Sequence, residues 1–183
     1  MSAITSSKSG RALAAAVTAI TLAAPLAAHA SGPGFAQCRS TAAVDFAGTI
    51  VEAAVATPAL STLTSLVVAA GLADALAAPG DLTVFAPTND AFGAIPGTVL
   101  DAIGKDLNVL TAVLTYHVVP RHVDPRKPVT VKLETLQGQT LFAGWDRDSG
   151  ATMINQSKAD CTAVRTTNGT VWIVDSVLLP QFR

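Results

Sequence analysis

Tyr116-His117 and, a few positions on, His122 with Asp124 are the residues of this 183-residue chain best suited to moving a proton. Histidine titrates near neutral pH and can serve as a general base when something holds it in place. A base needs a nucleophile or a labile proton to act on, and no serine or cysteine motif accompanies this group. Pro120 separates the two histidines, so these side chains could meet only on a loop. The structural reading is preferred: a histidine beside a tyrosine at a helix-to-strand joint is a hydrogen-bonded residue of the core or of an interface. No catalytic residue is assigned.

Metal and modification chemistry fare no better. Asp146-Arg147-Asp148-Ser149-Gly150 starts like a calcium loop, but glycine falls at the fifth position and Ser157 stands where the bidentate glutamate belongs. A hairpin turn between Trp145 and Ala151 explains the segment better, and no metal ligand or cofactor is assigned. Asn155-Gln156-Ser157 and Asn168-Gly169-Thr170 fit the glycosylation sequon, which has meaning only on a eukaryotic secretory route. Cys38 and Cys161 are the two cysteines and form no Cys-x-x-Cys pair. In an oxidising compartment they read as a disulfide tying an N-terminal arm to a late strand, whereas free thiols would need a reducing one.

The compartment follows from the first thirty residues. Lys8 and Arg11 make a basic start, Ala12 to Ala27 carries no charge, and Ala28-His29-Ala30 is a small-x-small cleavage site, so residues 1–30 are expected to be a signal peptide with Ser31 as the mature N-terminus. An uncleaved anchor is disfavoured, because the Ala-rich run is shorter than the roughly 20 residues a span needs. A lipoprotein is disfavoured because Cys38 lies well past the cleavage site and follows Gln37. No membrane insertion is expected after cleavage. Removing 30 of 183 residues leaves 153, a size for one domain with a sizeable core. The leader takes two of the 12 Lys+Arg and none of the 13 Asp+Glu, leaving 10 against 13 and a net charge of −3. That balance lacks the electrostatic footprint of a nucleic-acid binder.

Along the mature chain, Ser31–Ser40 reads as an extended arm held by Cys38. Apolar residues then recur at helical steps from Ala43 through Val55. Thr57-Pro58 ends that helix and starts another, whose buried face is Leu60, Leu63, Leu66, Val67 and Ala70 and whose stop is Gly71. Leu72 to Ala78 is a further short helix. Thr83 to Ala86 is a β-favouring run that Pro87 stops; Thr88 is a helix N-cap, Asp90 suits the first turn, and Ala91, Phe92 and Ile95 supply an apolar face. Gly97–Ile103 and Leu107–Leu114 read as helices with Gly104 between them, the latter passing through Tyr116-His117 into a short strand. Five strand-like runs follow, in Val129–Leu136, Thr140–Ala143, Ala151–Asn155, Asp160–Thr166 and Val171–Val174, with turns that include Asn168-Gly169. Helices first and strands later indicate an α+β fold.

Three of these segments carry a resemblance. Thr83-Val84-Phe85-Ala86-Pro87-Thr88-Asn89-Asp90-Ala91-Phe92 resembles the first signature of the fasciclin (FAS1) domain family. Tyr116-His117 matches its Tyr-His element, and Asn168-Gly169 through Trp172, Asp175 and Pro180 matches its closing signature. The likeness covers about Thr41 to Gln181, and the cysteine layout is similar to that of the secreted mycobacterial fasciclin-domain antigens. The resemblance implies a β-wedge of two small sheets with an N-terminal helical layer, a single domain over residues 41–183 after an arm at 31–40. It implies a secreted, non-enzymatic domain in the extracellular space or at the cell envelope, associating with an unidentified cell-surface or matrix protein or polymer. In this reading Thr83, Phe85, Pro87, Thr88, Asn89, Phe92, Tyr116, His117, Asn168, Gly169 and Asp175 serve structure or interaction. An alternative is carriage of a small apolar ligand, since some fasciclin-like proteins bind pigments. Two departures stand out: the Asp-Ile pair of animal matrix members, a candidate integrin-binding carboxylate, falls here on Ala163-Val164, and the histidine common in the closing strand is Trp172.

Overall fold

Short elements, each stopped by a local signal, build the fold. The computed structural model describes residues 34–182. The expected signal peptide, the first residues of the arm and Arg183 lie outside them.

The arm differs from expectation. Phe35–Ser40 is a helix, α1, because Cys38 is pinned at its centre by the disulfide to Cys161 and the Phe35 ring packs edge-on against Trp145 with centroids 5.4 Å apart. The helix expected from Ala43 also starts later. Val44–Asp45 is a two-residue strand, β1, and the backbone after it is held at a sheet edge by Phe46 N–H to the Arg165 carbonyl and Thr167 N–H to the Gly48 carbonyl. Those sheet bonds override the helical periodicity. Helix α2 (Ile50–Ala56) begins where Thr49 and Glu52 form a reciprocal capping box, the Glu52 carboxylate accepting the Thr49 N–H at 2.7 Å. That backbone bond, and then the Thr49 hydroxyl, hold the Glu52 carboxyl below its ordinary pKa.

Pro58–Leu60 forms one 3-10 turn leading into α3 (Ser61–Ala69). Thr57 does not cap it, because its hydroxyl turns back to the Ala53 carbonyl at 2.8 Å. Gly71 follows α3 with φ +67, a left-handed conformation suited to glycine. Next come α4 (Ala73–Ala77), strand β2 (Leu82–Pro87) and α5 (Asn89–Gly93), where the Thr88 hydroxyl accepts the Ala91 N–H. Helix α6 runs Gly97–Lys105 and contains Gly104. The break expected there falls at Asp106, whose carboxylate accepts the Asn108 and Val109 N–H groups and opens α7 (Leu107–Tyr116).

The remaining strands are β3 (Val118–Val119), β4 (Val131–Glu134), β5 (Thr140–Asp146), β6 (Ala151–Ile154), β7 (Ser157–Thr166) and β8 (Gly169–Val174). They run in the order β3-β2-β8-β7-β6-β5-β4, with β1 beside β7. The two wings of the wedge, expected as separate small sheets, are thus joined through β7 in one hydrogen-bonded path. The ladder between β7 and β8 breaks register between Ala159 and Ala163, around Cys161; a break of this kind bends a strand. The β2–β8 and β1–β7 pairs are parallel.

Side-chain alternation along β2 and β8 divides the interior in two. Val84, Ala86 and Val171 face the helices, packing with Ile50, Leu63, Val67, Phe92, Leu110 and Leu114. Phe85, Trp172 and Val174 point the other way, into a second core with Tyr116, Leu141, Ile154 and Leu178. The disulfide joins positions 123 apart, and loop-closure entropy at that size contributes up to about 4 to 5 kcal/mol.

Candidate functional site

The residues of the three signature segments are gathered where the helices meet β2 and β8, and most of their polar groups, Trp172 Nε1 excepted, are occupied there. His117 caps α7 and is 2 % exposed. Its Nδ1–H donates to the Val113 carbonyl at 2.8 Å, and its Nε2 accepts the Leu178 N–H at 2.9 Å. These partners define the tautomer. Burial pushes the imidazole down to about 4, outweighing the opposite effect of the Val113 carbonyl. A neutral ring whose lone pair is held by a backbone amide has nothing with which to abstract a substrate proton.

His117, His122 and Asp124 do not form a proton-transfer group. His122 lies at the surface, with Thr170 Oγ1 at 3.3 Å and Asp81 Oδ1 at 3.8 Å, both from the same nitrogen, Nδ1. A catalytic triad needs the two partners on opposite nitrogens. Asp124 instead faces Arg126, Oδ1 taking Nε at 3.0 Å and Oδ2 taking a terminal nitrogen at 3.1 Å. Burial raises its pKa, but the Arg126 bonds and charge together outweigh burial and hold the carboxyl below its ordinary value.

Asn168 joins distant parts of the chain. Its Oδ1 accepts the Ile50 N–H at 2.9 Å, and its Nδ2 donates to the carbonyls of Leu76 and Ala78, so one buried side chain ties the start of α2 to the end of α4. Gly169 was expected in a turn; it is the first residue of β8, and a Cβ there would collide with the Leu82 carbonyl of the parallel neighbour. Thr83 donates to the Arg121 carbonyl and accepts the Val123 N–H, both at 2.8 Å, which threads the 121–123 loop along β2. Asn89 accepts the Thr62 N–H and donates to the Pro58 carbonyl at the start of α3. Exposed Asp175 exchanges bonds with the Lys158 backbone. Phe85, Pro87 and Phe92 are buried.

The other chemical motifs resolve in the same direction. Asp146 accepts the N–H groups of Asp148 and Ser149, closing the turn between β5 and β6. Asn155, the first sequon asparagine, bonds Phe142 N–H and the Tyr116 hydroxyl, while Asn168, the second, is buried. Ala163 is buried opposite Trp172, and Val164 lies between β1 and β8. Ala163 faces the interior of the wedge, and Val164 packs on the helix side.

One arrangement is invisible in the sequence. Arg126 lays its guanidinium 4.9 Å from the Trp172 ring centroid and donates from one nitrogen to the carbonyls of Cys38, Thr41 and Cys161. It stitches α1, the disulfide and β7 together. Trp172 Nε1 is buried without a hydrogen-bond partner. The Thr-x-x-Glu capping box at Thr49 was detectable as a pattern, but nothing in Asp124-Pro125-Arg126 signals three distant carbonyls.

An apolar crevice opens between α2 and α3, with Val51, Ala54, Leu63 and Val67 on its walls and exposed Val55 and Val68 at its mouth. Its volume is about 60 Å³.

A bent mixed sheet with helices on one wing and signature residues at the joint defines a class of α+β wedge domain. The chain belongs to the fasciclin domain family, whose model matches residues 58–180. It is 37% identical over 143 residues to protein sll1483 of Synechocystis sp., covering 77% of this chain and 78% of that one. It is 38% identical over 136 residues to the cell surface glycolipoprotein MPB83 of Mycobacterium bovis, covering 72% of this chain and 60% of that protein. It is 34% identical over 159 residues to the immunogenic protein MPB70 of the same species, covering 84% and 77%. Among solved structures, a FAS1 domain pair from the insect cell adhesion molecule Fasciclin I has the same fold, with TM-score 0.55, 18% identity, and coverage of 73% of this chain and 51% of that one.

Proposed function

We propose that the protein is a secreted, non-enzymatic interaction domain that mediates adhesion or association at a cell surface or extracellular matrix. Membership of the fasciclin family supports the class, and the cell-surface description of its mycobacterial relative supports the location. The observation that carries the non-enzymatic part is His117: both ring nitrogens are engaged by backbone groups inside the core. Side chains of the signature segments hold the wedge together, so the partner surface belongs to the outer faces. Beads coated with purified protein should adhere to candidate cells or matrix polymers above a denatured control, and equal adhesion of the two would overturn the reading.

The crevice between α2 and α3 favours a second reading, carriage of a small apolar ligand. Its volume of about 60 Å³ is far below the roughly 300 to 1,000 Å³ of drug-sized sites, so an occupant of pigment size would require the two helices to part. Absorbance and mass spectrometry of protein from its native source test this directly: a bound chromophore or lipid supports carriage, and an empty protein rejects it.

A further inference from the structure

Phe142 stands on the outer face of β5 and is 46% exposed, between buried Leu141 and Ala143. Its backbone is held on both sides by Asn155: the Phe142 N–H donates to Asn155 Oδ1 at 2.9 Å, and the Asn155 N–H donates to the Phe142 carbonyl at 2.7 Å. Asn155 has φ +52, a conformation that asparagine adopts more readily than most residues. Its Nδ2 donates to the Tyr116 hydroxyl at 3.1 Å. The aromatic ring is therefore presented from a fixed strand, which lowers the ordering cost of binding to it.

A groove lies on each side of this ring. The larger, of about 690 Å³, is lined by Tyr116, Gln139, Thr140, Phe142, Asn155 and Gln181. The smaller, of about 310 Å³, shares Phe142 and Asn155 and includes Trp145 and Asp146. Among the described residues, none that lines the larger is charged. Gln139 uses Nε2 and Oε1 to hold the Gln181 backbone, both at 2.9 Å, and each carboxamide nitrogen carries two N–H donors, so Gln139 and Asn155 each retain one for a ligand.

A ridge with one apolar ring and neutral donors along its edge selects a ligand with the same division. A hydrocarbon would leave the carboxamides unpaired, and an anionic polymer would find no countercharge in the larger groove. A sugar ring has a C–H face that can stack on the phenyl ring and equatorial hydroxyls that reach the amides. We propose that the Phe142 ridge and its two grooves bind a neutral polysaccharide, with Phe142 stacking on a sugar and Gln139 and Asn155 bonding its hydroxyls. The inference rests on the reading of the protein as a surface-association domain and names the polymer class for it.

Affinity electrophoresis of purified protein in native gels containing β-glucan, galactomannan or dextran tests the site, with heparin gels and a polyproline peptide as contrasts. At least one neutral polymer should retard the wild type. Phe142→Ala should weaken that retardation about tenfold, the size of a lost stacking contact, and Phe142→Tyr should retain it. Circular dichroism should match the wild type in both variants. The proposal is overturned if no neutral polymer retards the protein, if Phe142→Ala is retarded equally, or if only heparin or the peptide binds. Wild-type beads that adhere to cells without retardation in any neutral gel would reject the saccharide site and leave the association reading standing; beads that do not adhere would reject the association reading itself.

Discussion

The two cores on either side of β2 are built by different means. The helix-side core is aliphatic apart from Phe92, is closed mainly by side-chain packing with Asn168 as a buried tie at one edge, and retains a crevice between α2 and α3. The core between the wings contains Phe85, Tyr116 and Trp172 and is bordered by directional ties, namely the Tyr116 hydroxyl, Arg126 and the disulfide. Packing alone tolerates rearrangement, whereas a bonded frame specifies one arrangement and resists collapse around a lost side chain. The difference assigns adaptability to the helical side and rigidity to the wedge.

The sharpest break in that comparison is a pair of truncations. Phe85→Ala should cost about 4 kcal/mol, because the frame cannot close over the cavity, while Leu63→Ala beside the crevice should cost about 2 to 3 kcal/mol. Urea denaturation measures both, and equal losses would erase the distinction. Replacing Cys38 and Cys161 together by serine should cost about 3 kcal/mol, below the loop-entropy ceiling because residual structure in the unfolded chain reduces the entropic gain. A triple variant that adds Arg126→Met should then lose more than the sum of the separate changes, as neighbouring ties do.

His117→Ala should cost about 1 to 3 kcal/mol through its two lost backbone bonds. Its effect on pH dependence has a definite sign. The folded imidazole has its pKa lowered from 6.5 to about 4, so between those values the unfolded chain binds the proton more readily. The stabilisation is complete above pH 6.5 and is lost as the pH falls towards 4, with a slope approaching about 1.4 kcal/mol per pH unit. Denaturation midpoints across that window should lose this component in His117→Ala. The smallest effect belongs to Trp172→Phe: the lost ring area and the relief of an unpartnered N–H oppose each other, and stability should stay within about 1 kcal/mol of wild type by calorimetry.

Much of this architecture was legible as local pattern. Thr83 to Phe92 reads as strand, cap and helix because β-branched residues, Pro87 and Thr88 act on their immediate neighbours, and the structure has that joint. The misread segments are those whose backbone bonds to something distant. Val44 and Asp45 have helical spacing but pair with Val164 and Arg165, and Phe35–Ser40 coils where the disulfide and Trp145 hold it. Gly169 reads as a turn residue, yet its lack of a side chain serves the close approach of β2. At the candidate site, the sequence supported a structural His117, but its two partners, Val113 and Leu178, were not legible. Leu178 lies 61 positions away, and no spacing rule reaches that far.

By itself the sequence determined the family, the α+β class, the cysteine pair and the absence of an aspartate at Ala163, because each is a matter of residue type and short-range order. Tertiary structure alone decided that Asn168 ties α2 to α4, that Arg126 binds three carbonyls over Trp172, and that Phe142 stands as an exposed ridge between two grooves. The physical reason is range. Propensity and capping act within a turn or two, whereas a buried amide, a guanidinium and an aromatic ring take their roles from whatever backbone the fold brings within hydrogen-bond or van der Waals distance.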